Sequence, residues 1–305
     1  MLFPGQGSQF VGMGKSLFES APAAREIFQR ADQTLGFPLT KLCFEGPEEV
    51  LNDTVNTQPA IFTASCACWE AMQALHGPLQ ACFLAGHSLG EYTALVAAGC
   101  FSFEDGLRLV RLRGQAMKAA GERLRGGMAA ILKLAAEAVE TLCREATARI
   151  GGIVQIANDN CPGQVVISGD QETLDGAMQL AREQGGRVVP LAVSVAAHSP
   201  LMESAVETMS EALESLHIGP ARLPVIGNVS AELLSTPAQI RQELLAQLTS
   251  PVRWTQTIER IRSEGGNRFV EVGPGKVLAG LVRRIAPQAE AQNVGEWPEL
   301  LAWQP

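Results

Sequence analysis

The five residues Gly86-His87-Ser88-Leu89-Gly90 stand where an apolar run, Cys82-Phe83-Leu84-Ala85, gives way to a helix-like stretch from Glu91 to Ala98. A serine on such a strand-to-helix turn has its hydroxyl lifted clear of the sheet, and the flanking glycines leave out Cβ atoms that the turn has no room for. Ser88 is therefore the candidate nucleophile; the competing reading of so loose a pattern is a turn that merely reverses the chain. A serine hydroxyl is a poor nucleophile near neutral pH and needs a base within hydrogen-bond reach, with donors for the oxyanion that forms. Four histidines are available. His87 neighbours Ser88 in a segment whose side chains alternate sides, which makes it a poor base and a packed elbow residue instead. His76 and His217 precede Gly-Pro pairs at apparent helix ends, where a positive charge suits the dipole. His198, in Val195-Ala196-Ala197-His198-Ser199-Pro200, follows an expected strand and precedes a helix. Loops in that position build active sites in open α/β sheets, so His198 is the preferred base.

The elements needed to place this pair follow from the patterning. Residues 1–121 alternate short strands with helices, with a clipped strand at Met1-Leu2-Phe3, helices near 17–35 and 58–75, the strand before the elbow, and a helix over Phe103–Arg123. This alternation predicts a mainly parallel sheet wrapped by helices. Over 122–191 the order becomes strand (128–133), helix (135–149), strands at 153–157 and 164–168 joined by Asn158-Asp159-Asn160-Cys161-Pro162-Gly163, helix (172–184), and strand (187–193). That is the β-α-β-β-α-β order of a ferredoxin-like unit. From 192 onward the α/β pattern returns, with a strand at 268–272, a Gly-Pro-Gly turn and a helix at 277–285. The expected fold is thus an α/β-hydrolase-like large subdomain, discontinuous over 1–121 and 192–305, carrying a ferredoxin-like small subdomain over 122–191. The last fifteen or so residues, with Pro287, Pro298 and Pro305, are expected to form a loosely docked tail.

Composition narrows the class. The chain has 305 residues, 46% hydrophobic and 18% charged, with a formal charge of −8. That charge argues against sequence-independent nucleic-acid binding. No apolar run reaches the ~20 residues of a membrane span, and a cytoplasmic protein is expected. Seven scattered cysteines suit buried thiols in a reducing compartment better than a disulfide framework, and Cys66-Ala67-Cys68 lacks metal spacing, so no metal site is expected. Gly273-Pro274-Gly275-Lys276-Val277 lacks the spacing and hydroxyl of a phosphate-binding loop, and Gly5-Gln6-Gly7 lacks the register of a dinucleotide site.

Taken in order, Phe3-Pro4-Gly5-Gln6-Gly7-Ser8-Gln9, Thr57-Gln58-Pro59-Ala60, Gly86-His87-Ser88-Leu89-Gly90-Glu91-Tyr92, Arg111-Leu112-Arg113-Gly114, the stretch 158–165, Ala197-His198-Ser199-Pro200-Leu201-Met202 and Glu271-Val272-Gly273-Pro274-Gly275-Lys276 resemble the malonyl-CoA:acyl carrier protein transacylases, over nearly the whole chain. The same family includes acyltransferases serving polyketide synthases. The resemblance implies that Ser88 takes the acyl group from coenzyme A and that His198 is its general base and later acid. It implies that a backbone carbonyl, at Ser250 before Pro251-Val252-Arg253-Trp254, orients the imidazole in place of a carboxylate. It places the oxyanion hole at the N–H groups of Gln6 and Leu89, the latter in keeping with the general elbow rule, and puts Gln58 and Asn158 on the pocket wall. Arg113 resembles the arginine that pairs with the free malonyl carboxylate, a role its planar fork suits. On the residues alone, Arg108, Arg111 and Arg113 read as solvated charges on one helix.

The chain starts a few residues short of the family's first strand, a difference expected to touch stability more than chemistry. Ala197 is smaller than the Phe or Ser found in relatives and leaves room near the acyl α-carbon, whereas Leu89 favours malonyl over methylmalonyl. The reading is an acyltransferase moving malonyl from malonyl-CoA, its substrate, to an acyl carrier protein through an acyl-serine, for fatty acid biosynthesis, as a monomer with no bound cofactor. The rivals are an enzyme loading a polyketide synthase carrier and a non-catalytic docking protein of the same fold.

Overall fold

The computed structural model describes residues 1–193 and 195–305. Among them, nine strands form two sheets: β1 Leu2–Phe3, β2 Leu84–Gly86, β3 Gly126–Leu132, β4 Val154–Cys161, β5 Gln164–Asp170, β6 Arg187–Pro190, β7 Val225–Ile226, β8 Arg268–Val272 and β9 Glu290–Val294. The larger sheet runs β7-β2-β1-β8-β9, with every pairing parallel. Strands β1, β2 and β7 are short and apolar because both faces of the sheet are covered. Phe3, Leu84, Val225, Val270 and Val272 point to one face, into the core that holds the helix Thr54–His76. Their neighbours Leu2, Ala85, Ile226 and Phe269 point to the other, against Trp254, Ile258, Leu278 and Leu281 of the helices Trp254–Ser263 and Val277–Ile285.

The second sheet runs β4-β5-β3-β6, wholly antiparallel, with the helices Ala136–Ile150 and Gln171–Glu183. Its order and connections are those of the ferredoxin-like unit. Alternation along β3 divides its apolar residues between two cores. Ala129 and Ile131 face Val139, Leu142 and Leu174 of its own helices, while Met128 and Ala130 turn to the main core.

Several elements depart from the sequence expectation. The first long helix is two, Lys15–Ser20 and Pro22–Leu35, because Pro22 opens a new helix at a position where its missing N–H costs nothing. The second starts four residues early, at Thr54, capped by the Asp53 side chain. Pro59 then lies inside that helix and cannot donate to the Val55 carbonyl; Arg111 Nη1 donates there instead, at 2.7 Å. The expected loop 158–163 is mostly strand. Register shifts at Ile156/Asn158 and Asp159/Cys161 absorb the asparagines, and Val252 pairs with the strand through Asp159 N to Val252 O and Val252 N to Ala157 O, both 2.9 Å. β6 ends at Pro190 rather than at Val193. The C-terminal segment is docked, not loose. β9 extends the parallel sheet, the helix Trp297–Ala302 buries Leu300, and Trp303 is 4% exposed. The sequence signal failed there because Glu290-Ala291-Gln292-Asn293-Val294 has little strand character, and its pairing with β8 is a tertiary effect.

Candidate functional site

The loops that follow β1, β2 and β7 meet at the carboxyl edge of the parallel sheet, where α/β folds place their sites. The β2 loop is the elbow. A Cβ on Gly86 would stand 1.9 Å from the Gly90 carbonyl carbon, and one on Gly90 would stand 2.0 Å from the Phe3 carbonyl oxygen, so the motif's glycines are required by contact. Ser88 itself has φ 51° and ψ −106°, a strained conformation for a residue with a side chain. Asn228, after β7, holds it there. Its Oδ1 accepts from Ser88 N at 2.7 Å and its Nδ2 donates to Gly86 O at 2.7 Å.

The structure brings Ser88 and His198 together. Ser88 Oγ lies 2.9 Å from His198 Nε2, and His198 Nδ1 lies 2.7 Å from a backbone carbonyl. With Nδ1–H donating to that carbonyl, Nε2 is left to accept the serine proton. The carbonyl belongs to Gln247, not to Ser250 as the sequence resemblance implied; Ser250 makes the lesser backbone contribution to the same imidazole. The turn after the helix Pro237–Ala246 carries both residues close to the ring, and an offset of three along it decides which carbonyl points at Nδ1. His198 also has a positive φ, 59°. Gln155 of β4 steadies that loop, donating to His198 O at 2.7 Å and to Thr249 O at 3.0 Å. Burial, followed by the neighbouring Arg113 charge, lowers the His198 pKa to about 3, so the ring is neutral and able to accept a proton across the ordinary pH range. His87 takes no part in this. Its Nε2 lies 2.8 Å from Asn160 Oδ1, and its ring sits edge-on to Trp254.

Arg113 is not a solvated helix charge: it is 2% exposed. Arg108, on the same helix, does pair with Asp105 at the surface, and Arg111 is half-buried. Arg113 Nη1 donates to Gln58 Oε1 at 2.9 Å, and Nη2 donates to Gln247 Oε1 at 2.8 Å and to Ser88 Oγ at 3.1 Å. Its Nε has no partner, and its guanidinium lies 5.7 Å from the centre of the Tyr92 ring. Among the described residues no carboxylate makes an ion pair with it. A buried guanidinium held by neutral amides and lacking an anion is poised to receive one.

A cavity of about 450 Å³ opens onto these groups, lined by Gln6, Ser88, Leu89, Arg113, Asn158, Ala197 and His198 among others. Gln58 is not on its wall but stands behind Arg113, donating to Thr54 Oγ1 at 3.0 Å. The N–H groups of Gln6 and Leu89 donate to no backbone or side-chain acceptor among the described residues, so both are free to serve an oxyanion. Asn228, Gln247, Gln155 and Glu91 were missed by the sequence reading. Glu91 Oε1 accepts from Asn228 N at 2.9 Å and its Oε2 accepts from Gln247 Nε2. Burial, then the nearby Glu243, push its pKa well above the usual carboxyl range. Glu91 alone had a signal, three residues beyond the nucleophile on the helix it opens; single amides scattered through loops carry none. Among the described residues no group of three His, Cys, Asp or Glu could hold a metal ion, and no helix is long and apolar enough to cross a membrane.

A family model described as the acyl transferase domain matches residues 1–298. The chain belongs to that acyl transferase family. The malonyl CoA-acyl carrier protein transacylase of Bacillus subtilis (strain 168) is 48% identical over 285 residues, covering 93% of this chain and 89% of the relative. That of Haemophilus influenzae is 42% identical and covers 97% and 95%. Among solved structures, an acyl carrier protein S-malonyltransferase from Vibrio cholerae superposes with a TM-score of 0.94 at 42% identity, covering 99% of this chain and 98% of that one. A malonyl-transacylase determined in complex with its type II polyketide synthase acyl-carrier protein superposes with a TM-score of 0.95 at 41% identity, covering 99% and 97%.

The depressed pKa has a stability consequence. Unfolded, His198 titrates at about 6.5; folded, it stays neutral down to about 3. Between these values the unfolded state binds a proton that the folded acyl transferase does not, so this residue makes stability fall as pH drops through that window. Urea melts at pH 7.5 and pH 5 should therefore show a smaller loss of stability for His198→Gln than for the wild type. Identical losses would mean that the ring protonates freely in the folded state.

Proposed function

We propose that this acyl transferase moves the malonyl group from malonyl-CoA to the phosphopantetheine thiol of an acyl carrier protein, by way of a malonyl ester on Ser88. The observation that carries the proposal is Arg113, a cation buried without an anion 3.1 Å from the nucleophilic oxygen. Such a group fits an acyl chain that ends in a carboxylate about two carbons beyond the scissile carbonyl. The relatives' names specify the same substrate and acceptor.

In the first half-reaction His198 Nε2 takes the Ser88 proton as Oγ attacks the thioester carbonyl. The oxyanion is received by the Gln6 and Leu89 N–H groups, and as it collapses the C–S bond breaks and the sulfur leaves with the proton from His198. The second half reverses these steps with the carrier thiol as nucleophile, leaving Ser88 with its proton. Burial is the larger cause of the lowered His198 pKa and the Arg113 charge the next, so pairing of the malonyl carboxylate with Arg113 offsets the second of these and strengthens the base when the correct acyl group is seated. The role fits fatty acid biosynthesis, and loading of a polyketide synthase carrier would use the same steps, as the type II relative illustrates.

Exposed Arg283 and Arg284 sit on the helix Val277–Ile285, and Arg284 bonds to Pro162 O at 2.9 Å and to Gln164 Oε1 at 2.5 Å on the β4–β5 hairpin. Neither has an acidic partner among the described residues. With Lys133 beside the same turn, they form a basic strip suited to an acidic carrier.

Arg113→Ala should lower kcat/KM for malonyl-CoA by two to three decades, as expected from an unpaired buried carboxylate worth about 3–5 kcal/mol, and leave acetyl-CoA unchanged or improved. Equal losses on both thioesters would assign Arg113 to the fold or the coenzyme instead. Reversal of charge at Arg283 and Arg284 together should raise KM for the carrier while sparing KM for malonyl-CoA. An unaltered carrier KM would remove the strip from the docking surface.

A further inference from the structure

Gln247 is the point at which the site's three parts meet. Its backbone carbonyl orients His198, its Oε1 receives Arg113 Nη2, and its Nε2 donates to Ser88 O at 3.0 Å and to Glu91 Oε2. An amide can be placed either way round, but here only one way works. A guanidinium has donors alone, so Oε1 must face Arg113, Nε2 must face Glu91, and Glu91 must accept, which its carboxyl can do whether or not it holds a proton because a hydroxyl oxygen also accepts. The other Glu91 oxygen accepts from Asn228 N, and Asn228 in turn holds the Ser88 backbone. Glu91 thus lies outside the cavity yet ties the elbow, the base and the anion-binding arginine into one network.

Resting on the malonyl-transfer reading above, we infer that Glu91 is a positioning residue for malonyl selectivity: by accepting from both Gln247 and Asn228 it fixes the polarity of the amide that presents Arg113 to the substrate carboxylate. The consequence is specific because of its two partners. In Glu91→Gln the shape is kept, but one side of the new amide must present N–H to a donor. The Asn228 N–H belongs to the backbone and cannot turn, so the oxygen of the introduced amide stays with it and the introduced NH₂ meets Gln247 Nε2. The Gln247 side chain then turns over and sets its own NH₂ against Arg113.

Glu91→Gln should reduce kcat/KM for malonyl-CoA by roughly 10- to 100-fold, the range for a donor left facing a donor in a buried site, and acetyl-CoA by much less, so that the malonyl-to-acetyl ratio falls with it. The double variant Glu91→Gln/Gln247→Glu restores donor and acceptor matching toward Arg113 and position 91, since a carboxylate at position 247 accepts from both, while the donor to Ser88 O is lost in the single and the double variant alike. It should melt closer to the wild type than Glu91→Gln does, yet remain poor on malonyl-CoA, because a fixed carboxylate now occupies Arg113. If Glu91→Gln fails to fold, the double variant must still fold and show this low ratio. A wild-type ratio in Glu91→Gln, equal losses on both thioesters, or a double variant no more stable than the single would each overturn the inference. Malonyl labelling of the wild-type protein is the control: its failure sinks the transfer reading itself, whereas labelling with an unaltered ratio in Glu91→Gln sinks only the role of Glu91.

Discussion

A guanidinium enclosed by protein without a carboxylate of its own is costly to keep, and the arrangement around Arg113 follows from meeting that cost. Neutral amide oxygens of Gln58 and Gln247 share its donors, and the Tyr92 ring lies close by. These partners stabilise the cation enough for folding while leaving it short of charge balance. The same Gln247 that shares the charge also supplies the carbonyl for His198. On the proposed reading, selection of a charged acyl group and orientation of the base both pass through this one residue, and no carboxylate is needed as a third member beside Ser88 and His198.

Backbone strain is the second constraint. Ser88 and His198 are two of only four non-glycine residues with positive φ among those described. Each is held in place by contacts from elsewhere in the chain: Asn228 on the elbow, Gln155 from the small sheet on the histidine loop. The small sheet thus reaches the His198 loop through a single amide, and its β4 strand is tied to the main body by the pairing with Val252. Strain maintained in this way keeps Ser88 Oγ and His198 Nε2 within reach of one another before any substrate arrives.

The parallel sheet, the antiparallel unit and the Ser88–His198 pair were legible in the sequence because each rests on local signals: alternation, glycines at a tight turn, a histidine in a strand-end loop. Arg113 was legible only by resemblance. Nothing local distinguishes it from Arg108 on the same helix, since burial is decided by which helices pack over it. The Ser250 carbonyl was misplaced by three residues because a turn's geometry, not its residue types, decides which oxygen faces inward. β9 and Trp303 were missed for a related reason: a polar-looking segment becomes a strand when an open sheet edge offers partners. Asn228, Gln155 and Gln247 act through long-range hydrogen bonds that no spacing rule encodes.

The account stands on a carboxylate-bearing acyl group being transferred to Ser88 in preference to an uncharged one. The most direct measurement is the intact mass, with peptide mapping, of the protein after brief exposure to an equimolar mixture of malonyl-CoA and acetyl-CoA, alongside Ser88→Ala. The expected result is a single malonyl adduct mapping to Ser88 in the wild type and none in the variant. An acetyl adduct in its place, or a malonyl adduct that persists in Ser88→Ala, would contradict it.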